Sequence, residues 1–323
     1  MRVCVTGGAG YIGSHTCKAL AQGGHEVFVY DNLSTGHRDF VRFGEFIYGD
    51  INDGIALRRC FHRLRPDAVI HFASSIEVSE SVRDPGKYYR NNVGGSLSLL
   101  EAMRDEDVPV LVVSGTCAVY GQPRQIPIAE TCAIAPLSPY GWSKFFMERM
   151  LADFQKAHGL RYMSLRYFNA AGCSPDGDIG ELHNPETHLV PNVIRAALGR
   201  IPPLNIFGND YDTPDGTCIR DYIDVRDLAR AHMLAVEKLL SGAQSEAINL
   251  GTGRGASVLE IVRGVENISG RKVPYAFSAR RPGDPPRLVA DAAKAMECLG
   301  WQPEFQLPDM LTNAWSFLTS QKQ

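Results

Sequence analysis

Short apolar runs that alternate with helical patterns, a glycine-rich turn after the first run and a carboxylate closing the second predict an α/β protein. The runs are apolar along nearly their whole length rather than at every second residue. Such strands belong to a parallel sheet covered by helices on both faces. The expected architecture is a Rossmann-type doubly wound parallel sheet with a smaller C-terminal substrate-binding lobe. At 323 residues the chain is long enough for both parts.

Val3-Cys4-Val5 is the first strand. Thr6-Gly7-Gly8-Ala9-Gly10-Tyr11-Ile12-Gly13 follows, and a helical pattern runs on to about Leu20. Gly7, Gly10 and Gly13 carry the signal. They let the backbone approach a pyrophosphate, whose charge the helix N-terminus attracts. The second strand, Val27-Phe28-Val29-Tyr30, ends in Asp31, 18 residues after Gly13. An acidic residue at that distance binds an adenosine ribose and repels a 2′-phosphate, so the expected cofactor is NAD rather than NADP. Phe46-Ile47-Tyr48-Gly49-Asp50 is a third strand, with Asp50-Ile51 at its end, and Ala68-Val69-Ile70-His71-Phe72-Ala73 a fourth. Tyr88 to Met103 reads as a helix, with Asn91 near its start, where it can cap a turn or reach the cofactor. Val110-Leu111-Val112-Val113-Ser114 then delivers Thr116 to the sheet edge. Ligands of such sheets lie beyond the carboxyl ends of the strands, where Asp31, Asp50, Phe72, Ala73 and Thr116 all fall.

The chemistry is expected at Ser138-Pro139-Tyr140-Gly141-Trp142-Ser143-Lys144. Ser138 suits a helix N-cap and Pro139 the first helical position. Residues four apart share a helix face, so Lys144 stands beside Tyr140. A tyrosine ordinarily titrates near ~10. A neighbouring ammonium favours the phenolate, and the positive end of the helix pushes the same way. The pair therefore reads as a general base held ready near working pH. A hydroxyl at Thr116 can face Tyr140 across a ligand.

Leu165-Arg166-Tyr167-Phe168-Asn169 is another buried strand, after which the alternation stops. Residues 170 to 220 are rich in Gly, Pro and Asp, with one helix near 190 to 199. Alternation resumes with a helix near 225 to 239 and the strand Ala247-Ile248-Asn249-Leu250, and the remainder reads as helical with Pro-rich links. The expected division is residues 1–169 as the cofactor domain, with 221–252 returning to it, and 170–220 with 253–323 as the lobe. Arg220, Arg280 and Arg281 are candidate anion clamps, because guanidinium suits phosphate oxygens.

Other function classes find little footing. A net charge of -3 offers no basic surface for nucleic acid or anionic membrane. No apolar run is long enough to span a bilayer. Eight scattered cysteines lack metal-knuckle or redox spacing and fit a reducing cytoplasm; the first strand starts at Arg2, leaving no room for a signal peptide. No P-loop, His-Glu-x-x-His pair or Gly-x-Ser-x-Gly elbow is present. His183 and His188 share one loop without a third obvious ligand, so no metal is expected.

The glycine turn with Tyr140 and Lys144 resembles the extended short-chain dehydrogenase/reductase family. Asp31-Asn32-Leu33-Ser34, Arg166-Tyr167-Phe168-Asn169, Ile206-Phe207-Gly208-Asn209-Asp210-Tyr211, Asp215-Gly216-Thr217, Arg220-Asp221-Tyr222 and Arg280-Arg281-Pro282-Gly283-Asp284 narrow it to the UDP-glucose 4-epimerase branch. The resemblance covers nearly the whole chain. It implies that hydride passes from C4 of a UDP-glucose or UDP-galactose sugar to bound NAD, that the 4-keto sugar turns over, and that hydride returns to the other face. It implies further that Thr116 binds the 4-hydroxyl, Tyr140 takes its proton, and Lys144 holds the nicotinamide ribose. Asn169, Arg220 and Arg281 would hold the diphosphate, Phe207 the uracil and Asp284 the uridine ribose, with His188 and Leu189 near the substrate. Tyr11, Ile12, Asp31, Asn32, Asp50, Ile51, Phe72, Ala73, Asn91 and Phe168 would line the NAD site. A homodimer is implied, packed through the helices near 87 to 104 and 139 to 157, where Phe145, Phe146, Met150 and Leu151 supply apolar surface.

The chain departs from the branch at a few positions. Thr116 replaces a serine, Ile76 a cofactor-contacting lysine, and His188 an asparagine found in some members. Leu288 stands where some carry tyrosine, which leaves room for a 2-acetamido group and raises UDP-N-acetylglucosamine, or a UDP-pentose, as an alternative substrate. The rival readings are a nucleotide-sugar dehydratase and a non-catalytic NAD sensor. The first needs an acid–base pair directly after the threonine, where this chain has Cys117-Ala118. The second has no need to keep Thr116, Tyr140 and Lys144 together.

Overall fold

A computed structural model describes residues 1–281 and 283–321; Pro282 of the arginine-rich motif lies outside the described residues. The main sheet comprises β1 (Arg2–Thr6), β2 (Glu26–Asp31), β3 (Glu45–Tyr48), β4 (Ala68–His71), β5 (Val110–Thr116) and β6 (Arg161–Tyr167). Three strands lie outside it: β7 (Asn169–Ala171), β8 (Leu204–Phe207) and β9 (Ile219–Asp224). The chain then returns to the main sheet with β10 (Glu246–Leu250). All seven strands run parallel in the order β10-β6-β5-β4-β1-β2-β3. The order reverses between β1 and β4, which opens a crevice at their carboxyl ends.

The period of two along each strand divides the sheet between two cores. Val3, Val5, Val27 and Val29 face one side, with helices Tyr11–Gln22 and Val225–Leu240. Cys4, Phe28 and Tyr30 face the other, with helices Gly54–Leu64, Ser96–Asp105 and Pro139–His158. Val110 to Val113 of β5 are all buried. Complete burial of one such side chain is worth roughly 1.5–3 kcal/mol, so packing on two faces outweighs local strand propensity here.

The lobe has its own core, where helices Leu189–Ala197, Val258–Ser269 and Leu307–Ser320 meet. Beside them β9 pairs with β7, with β11 (Gly255–Ser257) and, further on, with β13 (Arg287–Leu288), while β12 (Tyr275–Ser278) pairs with β8. The region after 253 is therefore not simply helical. The helix Ala293–Leu299, with Trp301 after it, also departs from the expected division. Ala295, Leu299 and Trp301 pack into the core of the main sheet, and the Trp301 indole donates to the Asp227 carbonyl at 2.9 Å. Tyr88–Met103 is not one α-helix either. An α-turn at Pro85–Tyr88 runs into a π-helical stretch, Tyr89–Gly95, before the α-helix resumes at Ser96.

Candidate active site

The glycine turn is built as a cradle. Gly7 has φ +75°, and a Cβ there would lie 2.6 Å from the Ala73 nitrogen; at Gly13 it would lie 2.2 Å from the Gly7 carbonyl oxygen. Only glycine fits either place, and the turn stays open for a ligand's backbone contacts. Gly10 opens the first helix in extended geometry without a side-chain cap, so the first N–H groups keep their capacity for an anion. These observations fit a dinucleotide pyrophosphate.

Asp31 is buried at the end of β2, where one oxygen accepts from the Ala9 N–H at 2.9 Å and the other from Leu33 at 2.8 Å. Burial pushes its carboxyl up, against those two hydrogen bonds. Each oxygen keeps a lone pair for a ribose hydroxyl. Asp50 accepts from the Asn32 amide at 2.9 Å, and from the Asn52 backbone and side chain at 2.8 Å each. Burial raises that carboxyl, but these donors more than reverse the effect. Ile51 is buried against Gly95, and Asn52 reaches Asn91 at 3.5 Å. The Phe72 ring lies 4.6 Å from that of His232, tilted by 50°, and Ala73 abuts Gly7. Tyr11 is buried and Ile12 half-buried beside the main core, the Tyr11 hydroxyl donating to the Gly172 carbonyl at 2.5 Å. The expected cofactor residues from β1, β2, β3 and β4 thus gather along one edge.

Ser138 caps the helix Pro139–His158, its Oγ accepting from the Gly141 N–H at 3.2 Å. This sets Tyr140 in the first turn and Lys144 one turn on. The Lys144 ammonium donates to Ser74 Oγ at 2.9 Å, and to Ser114 Oγ and carbonyl at 2.9 and 3.0 Å. Thr116 is buried at the end of β5, where its Oγ1 accepts from the Ala118 N–H at 3.2 Å. Tyr140 lies half-buried with its ring edge-on to Tyr88 at 6.4 Å.

The electrostatics correct one expectation. Burial pushes the Tyr140 phenol up to about 12, and the Thr116 hydroxyl draws it back only in part. Burial pushes the Lys144 ammonium down to about 7, although Glu148 favours its charge. Loss of water penalises both charged forms, so the chain by itself does not hold Tyr140 as a primed base.

Sequence reasoning missed Ser74 and Ser114, which seat Lys144, and Asn92, which is buried and bonds Ser75 and, at 3.0 Å, Ser143 of the same helix. The only signal available was the place of Ser74 just after β4 and of Ser114 within β5; Asn92, in the π-helical stretch Tyr89–Gly95, gave none.

On the lobe side, Arg220 of β9 is buried; it pairs with Asp284 and donates to the Ile219 carbonyl at 2.8 Å. The Arg281 guanidinium covers the Phe207 ring at 4.1 Å, so these four expected substrate residues form two joined pairs. Arg280 instead covers Tyr211 at 4.3 Å and pairs with Asp210 at 2.7 Å. Asn169 opens β7, in register with Tyr222. Phe168 is buried in a small cluster against which Leu288 packs. Leu189 packs on the lobe core. His188 precedes the helix Leu189–Ala197 without a side-chain capping bond and pairs through Nδ1 with Glu181. Burial opposes its charge, but Glu181 prevails and raises it to about 9. Spacing alone did not reveal that Glu181 and Glu186 fold back beside His183 and His188, so that the polar side-chain atoms of all four lie within 4.8 Å of one another.

A family model described as "NAD dependent epimerase/dehydratase family" matches residues 3–251. The UDP-glucose 4-epimerase of Rhizobium leguminosarum bv. trifolii is 49% identical over 321 residues, covering 99% of this chain and 98% of its own. That of Azospirillum brasilense is 50% identical over 324 residues, 100% and 93% of the two chains. Among solved structures, UDP-glucose 4-epimerase from Brucella ovis in complex with NAD superposes with a TM-score of 0.95 at 54% identity, covering 98% of each chain. The Stenotrophomonas maltophila enzyme, with bound NAD and formylated UDP-arabinopyranose, gives 0.96 at 40% identity over 99% and 98%.

Proposed function

Since the chain belongs to the NAD dependent epimerase/dehydratase family, we propose from its site that it is a UDP-glucose 4-epimerase, interconverting UDP-glucose and UDP-galactose with bound NAD. The observation that carries the reading is the grouping of Thr116, Tyr140 and buried Lys144 at the carboxyl edge of the glycine-turn sheet. NAD supplies the acceptor and donor of the C4 hydride and the positive charge that favours a phenolate. Thr116 orients the 4-hydroxyl, and Tyr140 moves its proton. Lys144, seated by Ser74 and Ser114, positions the ribose beside Tyr140. Gly7, Gly10, Tyr11, Ile12, Gly13, Asp31, Asn32, Asp50, Ile51, Phe72, Ala73, Asn91 and Phe168 form the cofactor side. Asn169, Phe207, Arg220, Arg281 and Asp284 grip the UDP, with His188, Leu189 and Leu288 nearer the sugar. Firm nucleotide anchors with few sugar contacts leave the oxidised sugar free to turn.

Cys117 weighs against the dehydratase reading. Burial pushes its thiol up to about 12, and Ala118 cannot carry a proton, so no acid–base pair follows Thr116. A C4 epimerisation needs none.

The same reading makes the protein a cytoplasmic homodimer. All eight cysteines are free, which suits a reducing compartment. No described helix is long and apolar enough to cross a membrane. Tyr89, Leu97, Trp142 and Phe146 are exposed along two neighbouring helices, with Trp142–Phe146 and Tyr89–Phe146 ring contacts of 5.7 and 6.2 Å. Leu151, expected in that surface, faces the sheet core instead. Light scattering should give twice the 35.5 kDa chain mass; the monomer mass would dismiss the dimer. For the activity, purified protein given UDP-galactose should produce UDP-glucose sugar signals in the NMR spectrum, and none would reject the assignment.

A further inference from the structure

Glu181, His183, Glu186 and His188 come from one loop of eight residues, yet their ligating atoms all lie within 4.8 Å of one another. Both carboxylates are out of water, with side chains 4% and 3% exposed. A buried carboxylate that stays ionised is costly unless it is paired, hydrogen-bonded or bound to a metal. Among the described residues neither has a lysine or arginine within ion-pair distance, and the basic side chains beside them are the two histidines. His183 Nδ1 stands 3.4 Å from Glu186 and 3.6 Å from Glu181, while His188 Nδ1 bonds Glu181. The two rings lie 5.0 Å apart at 82°, so they converge rather than stack.

The backbone orients the set. Glu186 Oε1 accepts from the N–H groups of Thr187 and His188 at 3.0 Å each, which aims the carboxylate at the histidines. Tyr11 of the glycine turn packs edge-on to His183 at 6.3 Å. Outer contacts of this kind fix ligand direction in metal sites. Two imidazoles with two carboxylates match zinc and its first-row neighbours, whereas calcium and magnesium take all-oxygen sets. Four-coordinate ligands at about 2.0–2.2 Å from zinc stand roughly 3.4 Å apart, so side-chain shifts of about 1 Å would close the cluster.

We propose that Glu181, His183, Glu186 and His188 form a divalent metal site of zinc type, which fastens this lobe loop beside Tyr11 of the glycine turn. The ligands bind deprotonated, so loading displaces any proton on the imidazoles. The site asks nothing of the hydride chemistry.

The test strips the full-length protein with a chelator, reloads it with zinc alone, removes the excess and counts metal per chain. A competing chromophoric chelator then gives the affinity. The wild type should hold one zinc per chain, and His183→Ala and Glu186→Gln should bind it at least ~10-fold more weakly while keeping the wild-type circular dichroism. X-ray absorption on zinc-loaded wild type covers the case in which a variant misfolds. It should show only nitrogen and oxygen ligands near 2.0–2.2 Å, and sulfur at ~2.3 Å would place the metal on a cysteine and overturn the proposal. Equal binding by wild type and folded variants, or no retained zinc in the wild type, would overturn it too and leave an ion-pair cluster only.

Discussion

Tyr140 keeps its proton at neutral pH in the isolated chain, because burial costs its phenolate more than Thr116 returns. Replacing it with phenylalanine removes one oxygen and no packing. Tyr140→Phe should therefore lower turnover at least ~10²-fold while NAD still co-purifies; near-normal turnover would remove Tyr140 from the proton path. The Tyr140–Lys144 pair was legible in the sequence because four-residue spacing sets a helix face. Ser74 and Ser114 were not, since they reach Lys144 only through the pairing of β4 with β5, 70 and 30 residues away. Leu288 is half-buried against the Phe168 cluster, in register with Arg220. A phenol ring there would fill space that a 2-acetamido sugar needs. Leu288→Tyr should suppress kcat/KM for UDP-N-acetylglucosamine and spare that for UDP-glucose, and equal loss of both would show that Leu288 does not set this specificity.

Among the elements, the helix Pro139–His158 depends on its cap. Ser138→Ala frees the Gly141 N–H and should cost about 1 kcal/mol. The measurement is a urea midpoint, and the first turn that carries Tyr140 should fray, so turnover falls by more than the lost stability explains. An unchanged midpoint would show that the cap contributes nothing. The start of this helix was readable in Ser138-Pro139; it closes at Gly159 in left-handed geometry. The π-helical stretch before Ser96 was not readable. It rests on Asn92, whose side chain bonds Ser75 and Ser143, and on Ser96 Oγ, which donates to the Asn92 carbonyl at 2.6 Å. Spacing shows none of these contacts. The lobe strands escaped notice for a related reason: they have two to six residues, and each finds its partner in a distant segment.

For the whole molecule, three buried histidines tie stability to pH. Burial pushes His15 and His232 down to about 4 and His71 to about 3. Unfolded histidine titrates near ~6.5, so between there and about pH 4 the unfolded chain takes up protons that the folded chain refuses. Their stability is fully present above that window and is lost as pH falls through it, on the order of 1–2 kcal/mol per histidine at pH 5. Asp31 and Asp221, whose carboxyls burial raises, act in the opposite sense on acidification. The comparison that isolates the histidines is His232→Gln, which should show a smaller drop in urea midpoint between pH 7.5 and 5 than the wild type; equal drops would contradict the account. At this scale the sequence showed the main sheet and its return at β10, because mostly apolar runs announce strands by composition. It did not show that Ala295, Leu299 and Trp301 cross back to the main core, since a short amphipathic helix carries no mark of which core it joins.

The central claim is that one hydride leaves C4 and returns to C4 without net oxidation. UDP-galactose deuterated at C4, incubated with purified protein in ordinary water and without added cofactor, tests it most directly. The account predicts UDP-glucose with deuterium retained at C4, at more than one turnover per chain. Product with the label washed into water, or conversion that stops at one oxidised sugar per bound NAD, would contradict it.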